Sequence, residues 1–310
     1  MTKQNTSRMD SEIPRRNLGT TGENVSIMGL GGSHIGWPED EKVGIEIVRT
    51  AIDNGINFMD NSWDYNDGIS ELRMGKALQD GYRKRVFLMT KIDSRSKQGA
   101  SKQIDESLKR LRTDNVDLMQ IHEVSRENDP ELIFGPGGAI EALVEGRKAG
   151  KIRYIGFTGH KSPEIHLKML RVAFANDFRF DTVQMPLNLF DAHFNSFEQK
   201  VIPVLLQHNI GIIGMKPLAD ANIVKSGTAS AIECLRYAMS LPVSVTLTGC
   251  ESMKILEQAI TTAKQFRPVT EAERIAMLAK TAIVAQDGHY EQYKTGTFFD
   301  STSRNPEWLK

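Results

Sequence analysis

The sequence predicts an α/β barrel built from eight strand–helix units, on three observations. Eight short apolar runs alternate with longer segments of helical apolar period, the connections between them are short, and 310 residues suit one such barrel. The runs are residues 27–30, 56–59, 86–90, 116–121, 153–157, 182–185, 210–215 and 243–248. A helical crossover returns the chain to the end where the previous strand began, so successive strands run parallel. Eight units at this length favour closure into a (β/α)8, TIM-type barrel over an open sheet.

In chain order, residues 1–12 are polar and expected to fray, and residues 13–310 are expected to form one domain. A hairpin comes first, from Arg15 to Leu18, turning through Gly19 and Gly22 and returning at Val25. After the first run, Val43, Ile47, Val48, Ala51 and Ile52 form a helical stripe. Ser162 and Pro163 open another helix as N-cap and first-turn proline, with Ile165, Met169, Leu170 and Ala173 on its apolar face. Ile255, Leu256, Ala259, Ile260 and Ala263 mark the last helix of the barrel set. Beyond it, the extension 270–310 begins with Thr270 and Glu273 in capping-box spacing, opening an extra helix to about Gln286. The tail, residues 287–310, carries Tyr290, Tyr293, Phe298, Phe299 and Trp308, aromatics suited to packing over a barrel end. A long loop, residues 123–138, follows the fourth run, and loops of that length are often functional.

Composition excludes several function classes. The 39 basic and 39 acidic residues cancel, so no net field points to nucleic acid or an anionic membrane. No run of about 18 apolar residues is present to span a bilayer. Cys234 and Cys250 make no disulfide framework and suit a reducing cytoplasm. Arg15-Arg16 is followed by a polar, turn-rich segment instead of the apolar stretch an export signal needs.

Four reactive residues stand at or just past three consecutive run ends: Asp60, Tyr65 in the loop behind it, Lys91 and His122. Parallel barrel strands all point their carboxyl ends at one face, so the four converge there. Taken singly, an Asp at a strand end is often a helix cap, a Lys there is often solvated, and a lone His is often structural. Together they suit proton donation to a carbonyl. A free phenol has a pKa near 10, so a nearby ammonium is expected to lower that of Tyr65. Asp60 would hold Lys91, and His122 would orient the substrate oxygen.

At these residues the chain resembles the aldo-keto reductase superfamily. Asp60-Asn61-Ser62-Trp63-Asp64-Tyr65-Asn66-Asp67-Gly68-Ile69-Ser70-Glu71 is similar to its Asp-x4-Tyr-x-x-Gly-x-Ser-Glu signature, and Thr90-Lys91 and Ile121-His122 to its strand-end lysine and histidine. The resemblance implies a (β/α)8 barrel holding an extended nicotinamide cofactor, with Asp60, Tyr65, Lys91 and His122 as catalytic tetrad. It implies cofactor contacts at Thr158, Gly159, Gln184, Met215, Lys216, Pro217, Leu218, Gly249, Lys254, Glu257 and Gln258. Thr158-Gly159 replace the usual Ser-Asn, and Met215 replaces the usual stacking aromatic; a thioether also covers a ring face. Lys216 is expected at the pyrophosphate and Lys254 in place of a 2'-phosphate arginine. Thr248 and Glu251 weigh against a 2'-phosphate, so NADP(H) is favoured over NAD(H) by a narrow margin.

The resemblance puts the first strand's loop on the substrate side, making His34 and Trp37 pocket residues together with Trp63. Gly31-Gly32 lack the spacing of a dinucleotide fingerprint, and the upper-loop His160 and His193 show no metal-ligand pattern, so no metal is expected. The expected activity is cytoplasmic reduction of a small aldehyde or ketone, or its reverse. A Schiff-base lyase using Lys91, or a cofactor-holding regulatory module with slow turnover, are the alternatives. Substrate identity and oligomeric state are not specified by the sequence.

Overall fold

The computed structural model of the chain describes residues 12–310. The segment expected to fray therefore lies, but for Glu12, outside the described residues. The hairpin forms as expected, β1 (Arg15–Asn17) pairing antiparallel with β2 (Asn24–Ser26). Eight parallel strands then close the barrel: β3 (Met28–Gly31), β4 (Phe58–Met59), β5 (Phe87–Ile92), β6 (Val116–Ile121), β7 (Ile152–Thr158), β8 (Thr182–Pro186), β9 (Gly211–Met215) and β10 (Val245–Gly249). They are ordered β10-β3-β4-β5-β6-β7-β8-β9 around the ring.

Side chains alternate sides along a strand, so one parity faces the barrel axis throughout. Leu18, Val25, Phe58, Phe87, Met89, Leu118, Ile213, Val245 and Leu247 form an inner core, with Phe58 stacked on Phe87 at 5.1 Å between centroids. Leu18 and Val25 belong to the hairpin, which therefore fills the amino end of the barrel. The opposite parity, including Leu30, Leu88, Met119 and Ile155, packs outward against the helices. Continuing the inward parity toward the carboxyl ends gives Asp60 from Phe58, Lys91 from Met89, and His122 from Leu118 by way of Gln120. Period two alone delivers the polar set to one face.

Helix Glu41–Asp53 buries the predicted stripe at Ile47, Val48, Ala51 and Ile52. Helix Pro163–Ala175 is capped by Ser162, whose hydroxyl accepts from Glu164 N–H. Thr270 and Glu273 close the expected capping box on helix Glu271–Ala285. The segment 123–138 is not one open loop, because it contains helix Asp129–Phe134, with Pro130 in its first turn. The tail winds through helical turns at Gln292–Thr295, Ser301–Arg304 and Pro306–Leu309. Its anchor is Lys294, which donates to Asp191 Oδ1 at 2.7 Å and pairs with Glu291 Oε1 at 2.9 Å. Both cysteines are buried and unpaired. Among the described residues no helix is long and apolar enough to cross a membrane.

Candidate active site

A cavity of about 620 Å³ opens at the carboxyl ends of the strands. Tyr65, Lys91 and His122 line it with Thr158, Gly159, Met215 and Lys216. Lys91, fully buried, donates from Nζ to Asp60 Oδ1, to Asn61 O at 2.7 Å and to Tyr65 Oη at 3.2 Å. Those three acceptors use the three ammonium hydrogens. Tyr65 Oη thereby accepts from Lys91 and keeps its own hydrogen for the cavity.

Backbone geometry places this group. Gly32 lets the end of β3 touch the end of β4, since a Cβ there would lie 2.3 Å from Asp60 O. Behind Tyr65, Asn66, Asp67 and Gly68 all take left-handed backbone, with φ of 54°, 54° and 84°. Gly68 adopts it without strain and opens helix Ile69–Ala77. The glycine in the signature is thus the turn between the tyrosine and that helix.

Electrostatics reverse one expectation. Burial pushes the Tyr65 phenol well above its usual value of 10, and Asp60, Asp64, Glu123 and Asp93 push it the same way. The lowering expected from Lys91 does not prevail, because Asp60 already neutralises the ammonium. Tyr65 therefore stays protonated across the neutral range. His122 moves in the opposite direction to ordinary burial: desolvation disfavours its charge, but Asp64 and Asp93 outweigh it and hold the ring up to about 10.

The sequence reading missed Asp64, Asp93, Glu123 and Ser301. Asp93 carried a signal, since it lies two residues past Lys91 on the same inward parity. Glu123 seats the tail: its carboxylate accepts from the backbone N–H and hydroxyl groups of both Ser301 and Thr302. Asp64, His122 and Glu123 bring ligand-type atoms within 4.8 Å of one another. Each is committed to partners within the protein, and the cluster is a hydrogen-bond network.

The remaining expected contacts divide. Gln184 lies beneath the cavity, its Nε2 3.4 Å from Met215 Sδ and its Oε1 buried without a partner. Lys216 Nζ sits 4.5 Å from the centroid of Phe299 and 5.3 Å from that of Tyr293, facing the tail. Pro217 is buried and Leu218 packs on the outer core. Gly249 is covered by the His34 imidazole, which a Cβ there would strike at 2.0 Å. Lys254, Glu257 and Gln258 line a separate groove with Arg236 and Thr261. His34 and Trp37 pack together at 4.1 Å and line the cavity that Tyr65, Lys91 and His122 line. Trp63 does not: its Nε1 donates to Glu106 at 2.7 Å and its ring props Trp308, which does line the cavity. His160 pairs with Asp300 at 2.9 Å and His193 with Thr281 at 2.9 Å.

A sequence model of the Aldo/keto reductase family matches residues 27–231. The chain is 30% identical over 222 residues to the uncharacterized oxidoreductase YrpG of Bacillus subtilis, covering 65% of each. It is 31% identical to the L-galactose dehydrogenase of Arabidopsis thaliana, over 70% of this chain and 69% of that one. It thus matches somewhat less than two thirds of the length of YrpG, and 58% of that of the aldo-keto reductase YhdN of Bacillus subtilis, at 32% identity over 62% of this chain. The holo form of the aldo-keto reductase AKR11C1 from Bacillus halodurans superposes with a TM-score of 0.73 over 87% of this chain and 96% of that one, at 22% identity, a likeness of fold.

Proposed function

The chain belongs to the aldo/keto reductase family, and from that membership we propose that it reduces a small aldehyde or ketone with NADP(H), favoured over NAD(H), as hydride source. The observation that carries this reading is the Asp60–Lys91–Tyr65 relay, which leaves the phenolic hydrogen directed at the cavity.

The cofactor's fit is supported by Gln184, whose partnerless buried Oε1 suits a carboxamide N–H, with Met215 and Thr158 beside it. Lys254, Glu257, Gln258 and the N-terminus of helix Met253–Lys264 suit the adenosine phosphate end. When bound, the nicotinamide supplies hydride to the carbonyl carbon. Tyr65 gives its proton to the forming alkoxide, Lys91 holds the phenol in line, and Asp60 holds Lys91. His122 binds the same oxygen.

A phenol held protonated favours reduction at neutral pH; the reverse oxidation needs the phenolate and so belongs to alkaline conditions. The roles of Tyr65 and its neighbours, and a cytoplasmic setting, are part of the proposal. The test is Tyr65→Phe assayed with NADPH and NADH over a panel of aldehydes, quinones and sugars. Reduction should fall by about 10²-fold or more while NADPH binding, read by fluorescence titration, stays near wild type. Undiminished turnover in that variant would refute the assignment of the donor.

A further inference from the structure

The two ring nitrogens of His122 have different surroundings. Nδ1 lies 3.0 Å from Asp93 Oδ1 and 3.3 Å from Asp64 Oδ1. The Ser62 hydroxyl is 3.3 Å from the same nitrogen, and it donates its hydrogen to Asp64 Oδ1 at 2.6 Å. Ionised carboxylates only accept, so Nδ1 carries a hydrogen shared between the two. Nε2 has no hydrogen-bond partner among the described residues, and the ring lines the cavity beside Tyr65. In a neutral ring with its hydrogen on Nδ1, Nε2 would be a bare lone pair. It would then repel a carbonyl oxygen instead of binding it.

Two buried carboxylates at one nitrogen resolve that conflict. Asp93 is fully buried and the side chain of Asp64 nearly so. Left without a counter-charge they would repel each other at close range, and a second proton on the imidazole supplies it. We propose that Asp64 and Asp93 are positioning residues for the carbonyl reduction, jointly holding Nδ1–H and keeping His122 an imidazolium that presents Nε2–H to the substrate oxygen beside the Tyr65 hydroxyl. This rests on the reduction reading of the same site.

The directions of titration agree. The ring is held up to about 10, and Asp64 is held far below the usual carboxylate range, burial being overcome by His122 and by hydrogen bonds from His122, Ser62 and Ser301. Burial and then Asp64 push Asp93 up to about 6, so Asp64 carries the firmer charge of the two. Tyr65, Lys91, Glu123, His160 and Lys216 face the same cavity, as do His34, Asp67, Asp220 and Arg304 further round its wall, and Asp60 stands behind Lys91. Asp60 is committed to Lys91, and Glu123 to the tail. Glu123 keeps its charge and also favours the ring's proton, while Asp64 and Asp93 are the two carboxylates paired with Nδ1 itself.

The test is a pH titration of the full chain labelled with ¹⁵N-histidine, assigned with His122→Asn and run without substrate. The His122 signals should keep imidazolium shifts well past the ordinary midpoint of 6.5. Asp64→Asn and Asp93→Asn should each lower the midpoint by roughly 1–3 units. With NADPH and 4-nitrobenzaldehyde as probes, each should lower kcat by about tenfold or more, with partial recovery in Asp64→Glu. A wild-type ring titrating near 6.5, or folded variants with an unmoved midpoint, would overturn the inference. The wild-type titration decides even where a variant fails to fold. A wild type inactive toward every carbonyl overturns the reduction reading instead, so the two failures are distinguishable.

Discussion

At the scale of single residues, Lys91 is the keystone, because three acceptors depend on one ammonium inside the protein. Removing one partner of a buried ion pair strands the other charge. Lys91→Met should therefore destabilise the chain by about 3–5 kcal/mol as well as abolish reduction. Urea denaturation checks the first effect, and a loss below 1 kcal/mol, roughly that of an exposed pair, would contradict the account. The four residues of the proposed tetrad, Asp60, Tyr65, Lys91 and His122, were legible because they combine reactive chemistry with strand-end position. Asp64, Asp93 and Glu123 were not, since an aspartate or glutamate in a loop reads equally well as a cap or a solvated charge. Only the inward parity shared by Lys91 and Asp93 distinguishes the second from surface acids. The electrostatic sign at Tyr65 was equally illegible: it depends first on how deeply the phenol is buried and then on how many carboxylates converge on it from different elements.

At the scale of elements, the tail shows where sequence periodicity runs out. Its aromatics announced a packing role, and Tyr293 is indeed buried, with Phe299 and Trp308 at the cavity. Its partners are distant in sequence: Glu123 takes Ser301 and Thr302, Arg126 donates to Thr302 at 2.9 Å, and Arg95 N–H donates to Leu309 O at 2.9 Å. No periodic signal encodes such pairs. Glu123 satisfies the first N–H groups of Ser301–Arg304 as a cap supplied from another element. Glu123→Ala should release residues 296–310, seen as faster amide exchange and raised KM for carbonyl substrates with kcat less affected. Unchanged exchange in that segment would show that its other contacts, those from Arg126 and Arg95 among them, hold the tail without Glu123. The helices, by contrast, were read closely, because capping and apolar period are local; Thr270 with Glu273 and Ser162 with Pro163 fell where expected.

At the scale of the molecule, the inner core and the candidate site occupy opposite ends of one barrel. Phe58, Phe87, Leu118 and the hairpin's Leu18 fill the axis, while the same parity one or two steps further along carries Asp60, Lys91 and His122. Leu18→Ala should thus cost about 2–5 kcal/mol of stability and leave kcat near wild type at temperatures where the chain is folded. A large fall in kcat with unchanged melting would contradict that separation. The closed barrel followed from eight alternations and chain length, whereas the short β4 and the helix inside 123–138 depended on tertiary contacts. The central claim, hydride delivery to a carbonyl with Tyr65 as donor, is tested most directly by isotope transfer. Turnover of an aldehyde with NADPH carrying deuterium at both C4 positions of the nicotinamide should place deuterium on the former carbonyl carbon, detected by mass spectrometry, and Tyr65→Phe should all but abolish that product. Alcohol formed without the label, or labelled product at wild-type rate from Tyr65→Phe, would contradict the account.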